Sequence, residues 1–109
     1  MDPAQVLKGM LDTAVLGALR GHRTYGYDLV RHLREQGFAE IADASVYGTL
    51  RRLHKAELLT SEIVESETGP PRKYYTLNDA GVAELARSTK TWEEITATMD
   101  RILSQEDTS

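Results

Sequence analysis

The sequence predicts a mainly α-helical chain with one small β-hairpin, in the order helix-helix-helix-hairpin-helix. Three observations carry this. Apolar residues recur at helical spacing over residues 6–19, 29–33, 46–53 and 85–102. Between residues 60 and 77 the period becomes strand-like and is interrupted by the turn-forming run Thr68-Gly69-Pro70-Pro71. The 109 residues fit one domain, or one domain plus a single appended element, and contain no cysteine for disulfide stapling.

Val6, Leu7, Met10, Leu11, Ala14, Val15, Leu16, Ala18 and Leu19 form a dense first helix that Gly21 ends. Its apolar residues cover most of its circumference, which predicts burial on two sides, either against a partner subunit as well as the core or as the central helix of the chain's own core. Tyr25-Gly26-Tyr27-Asp28-Leu29 opens a second helix, with Leu29, Val30 and Leu33 on one side and Arg31, Arg34 and Glu35 on the other. Gly37 is its C-terminal stop, and Phe38 and Ile41 read as core plugs in the connection. Asp43 or Ser45 can cap a third helix, since either side chain can accept from a free amide of the first turn. Val46, Leu50 and Leu53 share its buried stripe at i, i+4, i+7. The face left over carries Ser45, Gly48, Thr49, Arg52 and Lys55. Small polar residues followed by cations suit a helix entering the major groove: short side chains allow close approach, and arginine reaches guanine edges or phosphates.

In the strand-like region Ser61, Ile63, Glu65 and Glu67 alternate imperfectly with Glu62, Val64 and Ser66, and Arg72-Lys73-Tyr74-Tyr75-Thr76-Leu77 is rich in β-formers. Together they predict a two-stranded wing whose exposed tip carries Arg72 and Lys73. Asn78 or Asp79 then caps a final helix running to about Ser104. Positions 85, 88, 92, 95, 99 and 102 hold Leu, Ser, Trp, Ile, Met and Ile, a short coiled-coil-like seam. The expected organisation is a winged helix-turn-helix DNA-binding domain over 1–77, a C-terminal dimerisation helix over 78–104 and a disordered tail over 105–109. Met10, Val15, Leu85, Trp92, Ile95, Met99 and Ile102 are the expected dimer or ligand interface.

The net charge of −4 is unusual for a nucleic-acid binder, but its distribution matters more than its sum. Residues 1–77 carry ten Lys/Arg and ten acids; the deficit comes from residues 78–109, where Arg87, Lys90 and Arg101 face seven acids. Arg51-Arg52-Leu53-His54-Lys55 is free of acids, and Arg72-Lys73 is a second basic cluster. His22, His32 and His54 are spread too widely for two to share a helical turn and read as solvated surface residues. The sequence has no GxSxG nucleophile turn and no glycine-rich phosphate loop. Enzymatic activity, a metal site and a cofactor are therefore not expected. The first residues lack the pattern of a signal peptide, and no apolar run reaches the ~18 residues of a membrane span, so the expected location is the cytoplasm.

Three stretches carry a family resemblance: Tyr25-Gly26-Tyr27-Asp28-Leu29, Ser45-Val46-Tyr47-Gly48-Thr49-Leu50-Arg51-Arg52-Leu53, and Gly69-Pro70-Pro71-Arg72-Lys73-Tyr74-Tyr75-Thr76-Leu77 followed by Asn78-Asp79-Ala80-Gly81. Over residues 6–103 the chain resembles the PadR family of bacterial transcriptional regulators, and its single terminal helix resembles the short subfamily. The resemblance implies a homodimer that binds a palindromic operator in double-stranded DNA, usually as a repressor of an adjacent gene. It implies a recognition helix over 44–56, a wing tip over 68–73 and Tyr47 near the DNA backbone. With the charge pattern, the expected DNA-binding residues are Tyr25, Ser45, Tyr47, Gly48, Thr49, Arg51, Arg52, Lys55, Arg72 and Lys73. In drug-responsive relatives an aromatic residue matching Trp92 lines a pocket between subunits where flat aromatic ligands stack; Trp92 either plays that part or packs the dimer.

The chain departs from the family pattern at two places. Glu57 stands where members commonly have glycine, and a different turn there would shift where Arg52 and Lys55 point. Pro70-Pro71 stands where some members place arginines, which stiffens the wing and removes phosphate contacts. The acidic total charge, with Glu57, Glu62, Glu65 and Glu67 close together, keeps open an alternative: a winged-helix protein-interaction module that does not bind DNA.

Overall fold

A computed structural model of the chain describes residue 6 and residues 10–105. Leu7 of the first apolar segment and the tail residues 106–109 lie outside the described residues. The described elements follow in the order α1 (Leu11–Ala18), β1 (Thr24–Tyr25), α2 (Gly26–Gln36), α3 (Asp43–Lys55), β2 (Leu59–Val64), β3 (Arg72–Leu77) and α4 (Asp79–Leu103). This is the expected order with one strand added. β1 pairs antiparallel with β3, which also pairs with β2, giving a three-stranded sheet of order β1-β3-β2. The register sets Thr24 opposite Tyr75 and Tyr25 opposite Tyr74 on one side, and Leu59 opposite Leu77 through to Val64 opposite Arg72 on the other. Tyr25 therefore ends a strand and, with extended backbone, precedes α2 instead of opening it.

The core follows from the apolar stripes. Leu11, Val15, Leu16 and Leu19 meet Leu29, Val30 and Leu33 of α2 and Val46, Leu50 and Leu53 of α3; Ile41, Leu59, Tyr75 and Leu85 close the cluster, with Phe38 packed against it. α1 touches α2, α3 and α4. The two-sided burial expected of α1 is thus achieved within one chain. Val15 is 0% exposed and Leu85 7% exposed, so neither is available to a partner, which corrects their placement at an interface.

The helix ends show how local chemistry fixes α3. α2 stops at Gly37, whose φ of 134° only glycine takes cheaply, and Phe38 N–H donates back to the Leu33 carbonyl at 3.0 Å. α3 begins after Ala42, so neither Asp43 nor Ser45 is its cap. Asp43 instead accepts from the Arg34 guanidinium at 2.7 Å, and Arg34 also holds the Ile41 carbonyl at 2.8 Å. At the other end Glu57 takes the left-handed conformation, φ 64°. Leu58 N–H donates to the Leu53 carbonyl and Glu57 N–H to the His54 carbonyl, at 3.1 and 3.0 Å. This is the closure a glycine would make; Glu57 makes it despite a steric cost of about 1 kcal/mol. The turn after α3 is therefore not displaced. Asn78 supports it from one side chain: Nδ2 donates to the Glu57 carbonyl at 2.7 Å, while Oδ1 caps α4 by accepting from Gly81 N–H at 2.8 Å. Asn78 and not Asp79 is the cap.

α4 then leaves the body. Its 25 residues span roughly 37 Å at 1.5 Å per residue, and the molecule measures 66 × 29 × 20 Å. The radius of gyration is 16.5 Å, against about 13 Å for a compact chain of this length. Among the described residues, no helix is long and apolar enough to cross a membrane.

Candidate nucleic-acid interface

Burial divides α3 into two faces. Val46, Thr49, Leu50 and Leu53 are buried, while Ser45, Tyr47, Arg51, Arg52 and Lys55 are exposed and Gly48 is half-buried. Thr49 is the correction. It lies three residues beyond Val46 and four before Leu53, on the buried stripe; it is 3% exposed, and its hydroxyl donates to the Ser45 carbonyl at 2.9 Å. Gly48 does the opposite. A Cβ built there would meet only an Arg51 guanidinium nitrogen at 3.8 Å, so bare backbone faces open space.

The two arginines differ although they are adjacent. Arg52 Nη1 lies 2.6 Å from the Asp12 carboxylate of α1, and Nη2 lies 3.5 Å from Thr49 Oγ1. The hydrogen bond and the charge of Asp12 raise the Arg52 pKa above its ordinary value. Arg52 therefore ties α3 to α1, whereas Arg51 and Lys55 have no ion-pair partner among the described residues.

Tyr47 lies across the start of α2. A Cβ at Gly26 would overlap its ring, so glycine there is what allows the ring to settle. This contact joins the Tyr25-Gly26-Tyr27 and Ser45-Val46-Tyr47-Gly48 stretches physically. Tyr25 sits in an aromatic ladder, 6.2 Å from Tyr27 and 5.3 Å from Tyr74 between ring centroids. Arg72 lies 4.7 Å above the Tyr25 ring, and Arg23 lies 4.8 Å above Tyr74 while pairing with Glu62 at 2.6 Å. Desolvation by this surrounding raises the Tyr25 pKa, with Arg72 opposing and Asp28 adding. Arg23, Tyr27 and Tyr74 were not expected at this surface. Their signal was β1, a two-residue strand too short to show alternation.

Lys73 occupies the other face of the sheet, its Nζ 5.5 Å from the Tyr75 ring. Tyr75 meets His54 edge-on at 6.0 Å, and His54 Nε2 lies 3.3 Å from Ser61 Oγ. His54 is thus a packing residue and not a solvated one. Arg72 and Lys73 open β3 directly after the turn, opposite Val64 and Ile63. The turn between the strands carries Glu65 and Glu67 and no cation, and Arg72 and Lys73 begin the returning strand directly beside it, at the tip end of the wing. Among the described residues, no three His, Asp or Glu side chains are placed to hold a metal ion.

A second concavity of about 780 Å³ runs between the N-terminal segment and α4. Val6, Met10 and Thr13 line one side, and Trp92, Ile95 and Met99 the other. Trp92, Ile95 and Met99 remain 45%, 53% and 45% exposed, and Ile102 continues the stripe beyond the groove.

A family model described as the transcriptional regulator PadR-like family matches residues 15–87. The crystal structure of a PadR-like transcriptional regulator from Bacillus cereus is similar with a TM-score of 0.83 and 32% identity, over 94% of this chain and 99% of that one. A PadR family regulator from Eggerthella lenta is similar at 0.84 and 31% identity, over 94% of this chain and 89% of that one. Bacillus subtilis PadR, crystallised in complex with operator DNA, gives 0.65 and 30% identity over 71% of this chain, which spans 45% of that protein. The match runs from the core helix through the wing and into α4, and the chain belongs to the PadR family of transcriptional regulators.

Proposed function

We propose that the chain is a cytoplasmic, homodimeric, DNA-binding regulator that reads a palindromic operator with α3 and the wing. The observation that carries this is the outer face of α3. Bare backbone at Gly48 lies between Ser45 and Tyr47 on one side and the cations Arg51 and Lys55, without ion-pair partners among the described residues, on the other, with Arg72 held on the nearby sheet. Such a face can approach a groove closely and neutralise phosphates without first breaking ion pairs. The operator complex of the Bacillus subtilis relative supports the reading.

Dimerisation is supported by the exposed stripe Trp92, Ile95, Met99 and Ile102 on a helix that projects from the body. Two recognition helices entering successive major grooves must sit about 34 Å apart, and the paired α4 helices would set that distance. The regulator acts as a repressor and is released by a small planar aromatic effector in the groove beside Trp92. The groove's 780 Å³ falls within the range of ligand sites. Release requires only that the effector bind two dimer arrangements with different affinities.

Titration of duplex binding against salt tests the reading. Affinity should fall steeply as salt rises, because phosphate contacts release counterions. Arg51→Ala with Lys55→Ala should reduce both affinity and slope. No binding at any salt would instead favour a protein-interaction module. Quenching of Trp92 fluorescence by planar aromatics tests the effector; no quenching across a broad panel would leave Trp92 as packing.

A further inference from the structure

Arg52 stands on the outer face of α3 in line with Ser45, Gly48 and Lys55, yet its guanidinium is drawn off that face to Asp12 of α1, 2.6 Å away. Both side chains are about half exposed, 58% and 48%. An ion pair so open to water shifts an equilibrium by no more than about fivefold, little enough for a phosphate oxygen to replace the carboxylate. We infer that Asp12 is a specificity-determining residue, a built-in counterion that competes with DNA phosphate for Arg52 and withholds that cation from nonspecific duplex.

The inference rests on the DNA-binding reading above. Nonspecific affinity is supplied almost entirely by phosphate neutralisation, so each cation occupied by an internal acid lowers it. Arg23, Arg31, Arg34 and Arg87 are likewise paired with acids. Arg52 differs from these four because its backbone already stands on the recognition helix's outer face. A site that offers Arg52 a well-placed acceptor recovers the withheld contact, and a random site recovers less of it. The penalty therefore falls mainly on the wrong DNA.

The test uses the full chain and a random-sequence duplex of about three helical turns, titrated over a range of salt. Asp12→Asn should tighten binding about two- to fivefold per protomer, the scale of the released pair, and steepen the log–log salt slope by about one phosphate contact per protomer. Asp12→Glu, which keeps the carboxylate, should behave as wild type. Removing a negative charge anywhere near DNA could also tighten binding, so the decisive comparison is with Arg52→Ala. Asp12→Asn combined with Arg52→Ala should bind no better than Arg52→Ala alone. If the double variant keeps the gain, or if Asp12→Asn matches wild type, the counterion role is overturned while DNA binding stands. If wild type and all variants fail to bind duplex at low salt, the DNA-binding reading falls and the inference falls with it.

Discussion

At Gly48 the recognition helix carries no side chain, and the position is sterically open. Gly48→Ala should therefore raise stability by about 0.5–1 kcal/mol through helix propensity while weakening duplex binding. Thermal unfolding beside a binding assay separates the two effects; an alanine variant that binds at least as well as wild type would remove Gly48 from the interface. Gly81 resembles it in sequence and not in space. A Cβ there would run into the backbone carbonyl of Leu58, and Gly81→Ala should cost about 1–3 kcal/mol, as overpacking does. Glu57 gives the opposite expectation. Its φ of 64° suits glycine, and Glu57→Gly should stabilise the chain by up to about 1 kcal/mol, read as a higher midpoint in urea. At this scale the sequence was legible where periodicity governs, as at Val46, Leu50 and Leu53. It misled at Thr49, where a polar residue sits on the buried stripe because its hydroxyl is satisfied by the Ser45 carbonyl. Nor could it reveal that Arg52 is paired with Asp12, forty residues away in the chain.

The element that most shapes the wing is the shortest. β1 holds Tyr25 beside Tyr74 and beneath Arg72, which limits the conformations Arg72 must give up on meeting a phosphate. Tyr25 then acts through Arg72, as a positioning residue. Tyr25→Leu should reproduce most of the loss of duplex affinity caused by Arg72→Ala, and adding it to Arg72→Ala should cost little more. Tyr25→Phe, which keeps the ring, should bind nearly as wild type. Equal, additive losses from both substitutions would contradict this arrangement. The hairpin was legible because Thr68-Gly69-Pro70-Pro71 separates two runs of β-formers. β1 was not, because two residues show no period and Thr24-Tyr25 gains strand form only by pairing with β3. The pairing of β2 with β3 sets Arg72 and Lys73 opposite Val64 and Ile63, at the turn end of the hairpin.

Taken as one body, the molecule is too extended for its length because α4 carries its apolar stripe into solvent. Exposed apolar surface of this kind on a projecting helix supports the proposed dimer contact. Met99→Glu or Ile95→Glu should give a monomer in sedimentation and weaken duplex binding, with the core of Leu16, Leu29 and Leu50 still folded by circular dichroism. A variant that stays dimeric would move the interface off this stripe. The 4-and-3 spacing along α4 made the stripe legible in advance. The division between core and interface was not, because Leu85 sits on the same seam and is claimed by the body of its own chain. Two copies that read DNA symmetrically select a symmetric site, which selection of bound sequences from a randomised duplex pool would reveal. The expected result is an inverted repeat with half-site centres one helical turn, about 10 base pairs, or a whole multiple of it apart. Enrichment of a lone half-site, or of no sequence at all, would contradict it.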